Sequence, residues 1–374
     1  MSAALQEERT FSEVKRLCCA GMDGPELLGR VVERLRPAVR FEAYCASTAD
    51  PASGLITHSL ADETFGAKEA AVFFERLYFE HDIDLFRAMA RAQAPPVLLL
   101  SETAGRPEDS PRYRELLGPL GLAHEMRGVF VAGGRMWGSM DLIRGRDSPD
   151  YAPREVALLK RIAPHLAVGL KGAALRARGG PASDTATAVP GVLTLDASGR
   201  VVQHTPAAER WLRELGELRA GWSEWEGLPQ AVRSVALGLK RALRPLSERD
   251  REVVPQLSVR GRSGRWLTLY GSLTEPSDGR AGETVIVVEP SKPEEIAWLN
   301  VAAYALTPRE EEIAGLVARG LSTREISAHL FVSEYTVQNH LRGVFEKVGV
   351  RSRRELVKRL FFDGLYPSLF GQGV

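Results

Sequence analysis

Three cysteines in 374 residues, Cys18, Cys19 and Cys45, are too few and too irregularly spaced for a disulfide framework or a zinc site. A reducing cytoplasm is the compartment they fit. No apolar run approaches the length of a membrane span, so no membrane partner is expected. Residues 1–8 lack the basic and apolar regions of a signal peptide. An excess of one charge is missing too: the formal net charge is +1, which leaves no global signature of nucleic-acid binding and requires any such surface to be local. Catalytic signatures are equally scarce. There is no Walker-type phosphate loop, no Gly-x-Ser-x-Gly elbow and no His-Glu-x-x-His helix. The strand expected at 41–47 runs into Thr48, Ala49 and Asp50 without the acidic pair of a phosphorylated receiver domain. His58, His81, His124 and His165 are scattered and read as ordinary polar or packed residues. Asp82 and Asp84 lack a partner base, and Cys45 on a strand reads as a small buried hydrophobe. The expectation is a chain that is not an enzyme and holds no metal or cofactor.

What is present is concentrated at residues 306–365, where helix-start chemistry recurs. Thr307, Pro308 and Glu310 supply a capping hydroxyl, a proline for the first turn and a carboxylate that reaches back to the cap amide. Ser322 with Glu325 and Ser352 with Glu355 repeat the box, and Ser333 caps another helix with Glu334 at its positive dipole end. Gly320 and Gly349 sit where the first and third helices should stop. This predicts four short helices. In the third, Val337, Leu341, Val344, Phe345 and Val348 form one apolar stripe. Ile313, Leu316, Val317, Ile326, Leu330, Leu356, Val357 and Leu360 offer it a core. The stripe leaves Tyr335, Thr336, Gln338, Asn339 and Arg342 outside. Asn and Gln suit adenine N6/N7 and Arg suits guanine O6/N7 in a major groove that admits one helix. Ser333, Thr336, His340, Lys347, Arg351 and Ser352 are suited to phosphate, and basic residues outnumber acids between 324 and 359. A basic, solvated helix face alone would carry no more than that description.

The ordered set Leu306-Thr307-Pro308-Arg309-Glu310, Gly320-Leu321-Ser322, Glu325-Ile326, Ser333-x-x-Thr336-Val337-x-x-His340 and Lys347-x-Gly349-Val350-Arg351-Ser352-Arg353 resembles the LuxR-type helix-turn-helix domain nearly end to end. The resemblance implies a recognition helix at 333–348 with base contacts at Gln338, Asn339 and Arg342. It also implies phosphate contacts near Thr336, His340, Lys347 and Arg351, and dimerisation through the fourth helix. Many members carry lysine where Gln338 stands, so their base preferences do not transfer.

Residues 1–176 read as one α/β domain: helices at 8–18 and 25–35, strands at 41–47 and 55–60, and a helix at 69–79. A strand at 97–100, a helix at 112–117, a hairpin of 125–131 with 136–143, and a long helix over 151–176 follow. The last has a seam of Val156, Leu159, Ile162, Leu166 and Leu170 that is either core or shared between two subunits. The element order and the stretch 136–144 resemble a GAF domain. Phe73, Met126, Phe130, Trp137 and Met140 either fill its core or line a pocket for a small apolar or aromatic ligand. Residues 177–190 are a linker by composition. The strands and helices expected over 191–290 resemble a PAS domain, with Thr205 where that family usually has asparagine. Residues 291–305 would form a connector helix into the domain at 306–374.

The expected fold is therefore multidomain, with two α+β sensor-like domains followed by an all-α four-helix domain. The expected function is a cytoplasmic, ligand- or partner-controlled transcriptional regulator. It would bind double-stranded DNA as a homodimer on a pseudo-palindromic site and work with RNA polymerase. The competing reading is a signalling adaptor whose helix-turn-helix binds protein.

Overall fold

The computed structural model describes residues 3–66, 69, 83–92, 97–98, 103, 105–176, 189–216, 218, 223–242, 255–275, 282–292, 295, 304 and 306–362. The helix expected at 69–79 (with Phe73), most of the linker and most of the connector lie outside them. The chain divides into two compact units. One holds residues 1–179 and 189–289; the other holds 180–188 and 290–374.

In the first unit, helix α1 (Ala3–Cys18) and helix α2 (Gly24–Leu35) precede strands β1 (Ala43–Ala49) and β2 (Ile56–Ala61). Asp23 caps α2 by accepting from the Glu26 amide at 2.8 Å, and Leu27, Leu28, Val31, Val32 and Leu35 make its buried face. Helix α3 (Ile83–Ala92) and the short strand β3 (Val97–Leu98) lead to a π-helical turn at Tyr113–Leu117, where a helix was expected. Strands β4 (Leu122–Ala132) and β5 (Arg135–Gly145) form the expected hairpin. Its turn places Gly133 at φ 61° and Gly134 at φ 70°, the doubly left-handed geometry that matches strand twist. The sheet has the order β2-β1-β5-β4-β3 and is antiparallel throughout.

Helix α4 (Pro153–Arg176) covers one face of this sheet. Leu159, Ile162, Leu166 and Leu170 of its seam are buried within the chain itself, so they belong to the core. Gly169 lets α4 cross α1 and α2 closely: a β-carbon there would lie 2.9 Å from Leu27 and 3.0 Å from Cys18.

A second sheet is built from β6 (Gly191–Leu195), β7 (Val201–His204), β8 (Gln256–Arg260), β9 (Trp266–Leu273) and β10 (Thr284–Pro290), in the order β7-β6-β10-β9-β8. Numbered within each sheet, both follow 2-1-5-4-3. Thr205 ties helix α5 (Pro206–Leu215) to β6, its hydroxyl accepting from the amides of Ala208 (3.2 Å) and Val192 (3.0 Å). Helix α6 (Gln230–Ala242) packs on β9 and on β2, and it is buried at Ala231, Val232, Ser234, Val235, Ala236, Leu237 and Leu239. It therefore touches both sheets. Among the described residues no helix is long and apolar enough to cross a membrane.

The second unit contains α7 (Pro308–Ala318), α8 (Thr323–Leu330), α9 (Glu334–Val348) and α10 (Arg353–Val357), the last continued by a π-helical turn, Lys358–Phe362. Its core is Leu306, Ile313, Leu316, Val317, Ile326, Val337, Leu341, Val344, Val348, Leu356 and Leu360, with Phe345 and Leu330 partly buried against it.

Candidate nucleic-acid interface

Each helix of the second unit starts on a side-chain cap. Thr307 and Glu310 close a full capping box at 3.3 and 2.7 Å, as do Ser322 and Glu325 at 3.2 and 2.7 Å. Ser333 accepts from the Thr336 amide at 3.1 Å, and Ser352 accepts from the Glu355 amide at 3.2 Å. Glu355 departs from the box pattern: its carboxylate takes the amide of Arg351 at 2.9 Å. Gly349 ends α9 in the left-handed region, with its amide returned to Phe345 and Glu346.

The cap and the core together fix which way α9 turns. Val337, Leu341, Val344 and Val348 are buried, and the 3.6-residue repeat carries the intervening positions outward. Gln338, Asn339 and Arg342 are exposed and make no hydrogen bond or ion pair among the described residues. Three side chains able to pair with base edges therefore stand free on one face.

The residues suited to phosphate are placed less uniformly. Ser333 and Thr336 share a hydroxyl hydrogen bond of 2.8 Å at the start of α9, and His340 is half-buried one turn on. A hydroxyl that accepts from an amide keeps its own proton to donate, so the capping roles of Ser333 and Ser352 leave them usable. Arg351 is exposed with no side-chain partner among the described residues, and so are Arg324 and Arg354. Lys347 differs. Its ammonium lies 2.6 Å from Glu310, tying the last turn of α9 to the first of α7. Burial pushes the Glu310 carboxyl up, but the Lys347 bond and the Thr307 cap outweigh it and hold the group below the ordinary range. Arg353 is also spent internally, donating to the Leu321 carbonyl and the Thr323 hydroxyl at 2.7 Å each.

The residues considered for a ligand pocket lie in the first unit. Register places Met126, Phe130 and Met140 on one sheet face with Leu142 and Gly138, and a β-carbon on Gly138 would meet Leu170 of α4 and Phe130. All three are fully buried on that helix-covered face. Trp137 is buried, with its indole nitrogen donating to the Ala132 carbonyl at 3.0 Å. Phe73 lies outside the described residues.

The opposite face of that sheet holds a set the sequence did not single out. Arg112, Glu125, Arg127 and Asp141 are buried together, with Arg112 paired to Glu125 at 2.7 Å. Beside them Cys45, Ser47 and Ser59 form a hydrogen-bonded row. The signal available is alternation: charged residues at 125, 127 and 141 fall on one side of strands whose other side carries Met126, Phe130, Met140 and Leu142. Burial pushes the Cys45 thiol up to about 12, which makes it a poor nucleophile. No group of three potential metal ligands occurs among the described residues.

Residues 304–360 match the family described as bacterial regulatory proteins, luxR family. The spore germination protein GerE of Bacillus subtilis is 42% identical over 59 residues, which are 16% of this chain and 80% of that protein. The chain belongs to the luxR family. An HTH-type transcriptional regulator of Mycobacterium bovis is 49% identical over 53 residues, 14% of this chain, and the match spans only 6% of that protein. Membership in the luxR family thus rests on the C-terminal unit. Among solved structures, the phage VqmA–DPO complex aligns with 50% of this chain and 88% of its own at 18% identity. Its TM-score of 0.28 is too low to assign the N-terminal sheets.

Proposed function

We propose that this luxR-family chain is a DNA-binding transcriptional regulator that reads double-stranded DNA through α9. The observation that carries the reading is the free, outward set Gln338, Asn339 and Arg342 on a helix capped at both ends. A homodimer would place two such helices on half-sites of a pseudo-palindrome about one helical turn apart. Arg351, Ser333, Thr336, His340, Lys347 and Ser352 supply the phosphate contacts. RNA polymerase is the downstream partner, the protein is cytoplasmic, and it catalyses no reaction of its own. The first unit receives the signal, as a GAF-like module over 1–176 and a PAS-like module over 191–290. Two sheets of one strand order support reading them as related modules. A small apolar or aromatic ligand, or a protein partner, biases how the connector at 291–305 presents the DNA-binding units.

The test begins with selection of duplexes from a random pool by the full chain, followed by competition binding. Asn339→Ala and Arg342→Ala should each relax preference at one base pair, at about 1–3 kcal/mol per lost bidentate contact. Arg351→Ala should weaken binding to every sequence and lower the salt slope by about one. Wild-type preference in both reading-face variants would sink the assignment. Binding that ignores salt would favour a protein-binding adaptor.

A further inference from the structure

The turn leading into α9 contains the only non-glycine residue with positive φ among the described residues: Phe331, at φ 53° and ψ 42°. An L side chain in that region crowds its own backbone. After α7 and after α9 the same domain uses glycine in this conformation, Gly320 at φ 85° and Gly349 at φ 73°. After α8 it uses phenylalanine, and that residue is 96% exposed. Four residues further along the chain, Tyr335 is 72% exposed. These two are the only aromatic rings among the exposed large hydrophobic residues described. Neither side chain has a hydrogen-bond or ring partner among the described residues. In the free protein Phe331 thus costs twice, in backbone strain and in unburied apolar surface. Strain and exposed apolar surface at one residue motivate a contact that is made only in a complex.

The position says which complex. Tyr335, Gln338, Asn339 and Arg342 fall at i, i+3, i+4 and i+7, one stripe along the outer face of α9. Tyr335 is the apolar member of the face proposed to read bases, and Phe331 stands in the turn that leads into that helix, two residues before its Ser333 cap. The apolar feature that a major groove offers is the thymine 5-methyl group. We propose that Tyr335 and Phe331 form an apolar edge of the reading face that packs on thymine methyl groups, so that each half-site carries thymine beside the positions read by Gln338 and Asn339. The proposal rests on the DNA-binding reading above and names what that site selects.

The probe is the duplex selected by the wild-type full chain, with each thymine replaced in turn by deoxyuridine, which removes only the methyl. Wild type should lose about four-fold in affinity at one or two positions per half-site, the effect expected for one buried methyl group. Tyr335→Ala and Phe331→Gly should bind the thymine and uridine duplexes equally there, and Tyr335→Phe should restore the difference. Glycine suits the left-handed region, so Phe331→Gly should melt no lower than wild type, and its loss of affinity then cannot be unfolding. Should Phe331→Gly melt lower, its effect counts against the proposal unless Tyr335→Ala, at an exposed helical site, abolishes the same uridine sensitivity. If wild type tolerates every uridine, or if both variants keep its sensitivity, the thymine contact is overturned while base reading by Asn339 and Arg342 stands. Unchanged DNA affinity in both variants would also overturn it and assign the rings to a protein partner. If no sequence is selected at all, the broader reading fails and takes this one with it.

Discussion

Glu310 shows how much one side chain can hold in place. Its carboxylate closes the α7 capping box and takes the Lys347 ammonium, so α9 is fastened at its far end to the start of the domain. Its pKa is held down in the folded state, so it contributes stability that is complete above the ordinary glutamate range. That contribution is lost as pH falls through the lowered value. Thermal melts across the acid range should therefore show Glu310→Gln less stable than wild type near neutrality and converging with it in acid; parallel curves would contradict this. Lys347 illustrates the converse. Its sequence position suits phosphate, and its charge also has a partner within the domain, so a Lys347→Ala variant would confound lost DNA contact with an unpaired, buried carboxylate. Arg351, exposed and free of side-chain partners among the described residues, is the cleaner probe of the phosphate term.

At the scale of elements, helix ends obey local rules and crossings do not. The caps at Asp23, Thr205, Thr307, Ser322, Ser333 and Ser352 all follow from a hydroxyl or carboxylate three residues before an amide it can accept. The close passage of α4 over Cys18 and Leu27 depends on Gly169, and nothing local marks that glycine as different from another small residue in a helix. Gly169→Val should overpack the crossing and cost about 1–3 kcal/mol by chemical denaturation. A variant as stable as wild type would mean that the two layers can separate without loss.

Across the whole first unit, the two sheets meet where the β1–β2 turn reaches β8. Asp50 is buried there, accepting from the Ser53 hydroxyl (2.7 Å), the Ala52 amide (3.1 Å) and, from the second sheet, the Ser258 amide (3.4 Å). Leu55 packs beside Gly238 of α6 in the same junction. Burial pushes the Asp50 carboxyl up, against the hydrogen bonds that favour its charged form. Removing the acceptor should loosen the joint more than neutralising it. In calorimetry of the full chain, Asp50→Ala is expected to split the unfolding of the two sheets into separate transitions, and Asp50→Asn to keep them together. Coincident transitions in the alanine variant would leave the apolar packing of α6 as the joint.

Features written in short spacings are legible from the residues alone. These are the four capped helices, the buried stripe of α9 with its outward Gln338, Asn339 and Arg342, the β4–β5 hairpin, and the strands of both sheets to within a few residues. Each depends on neighbours three or four positions away, or on strict alternation, and the backbone period converts these directly into faces. Which helix covers which sheet face is fixed by long-range packing. That packing buries Met126, Phe130 and Met140 beneath α4, gathers Arg112, Glu125, Arg127 and Asp141 on the opposite face, pairs Lys347 with Glu310, and joins the two sheets through Asp50. The ion pairs and hydrogen bonds among them link residues from 13 (Arg112 with Glu125) to 208 (Asp50 with Ser258) positions apart, and their energies depend on burial that no local pattern encodes.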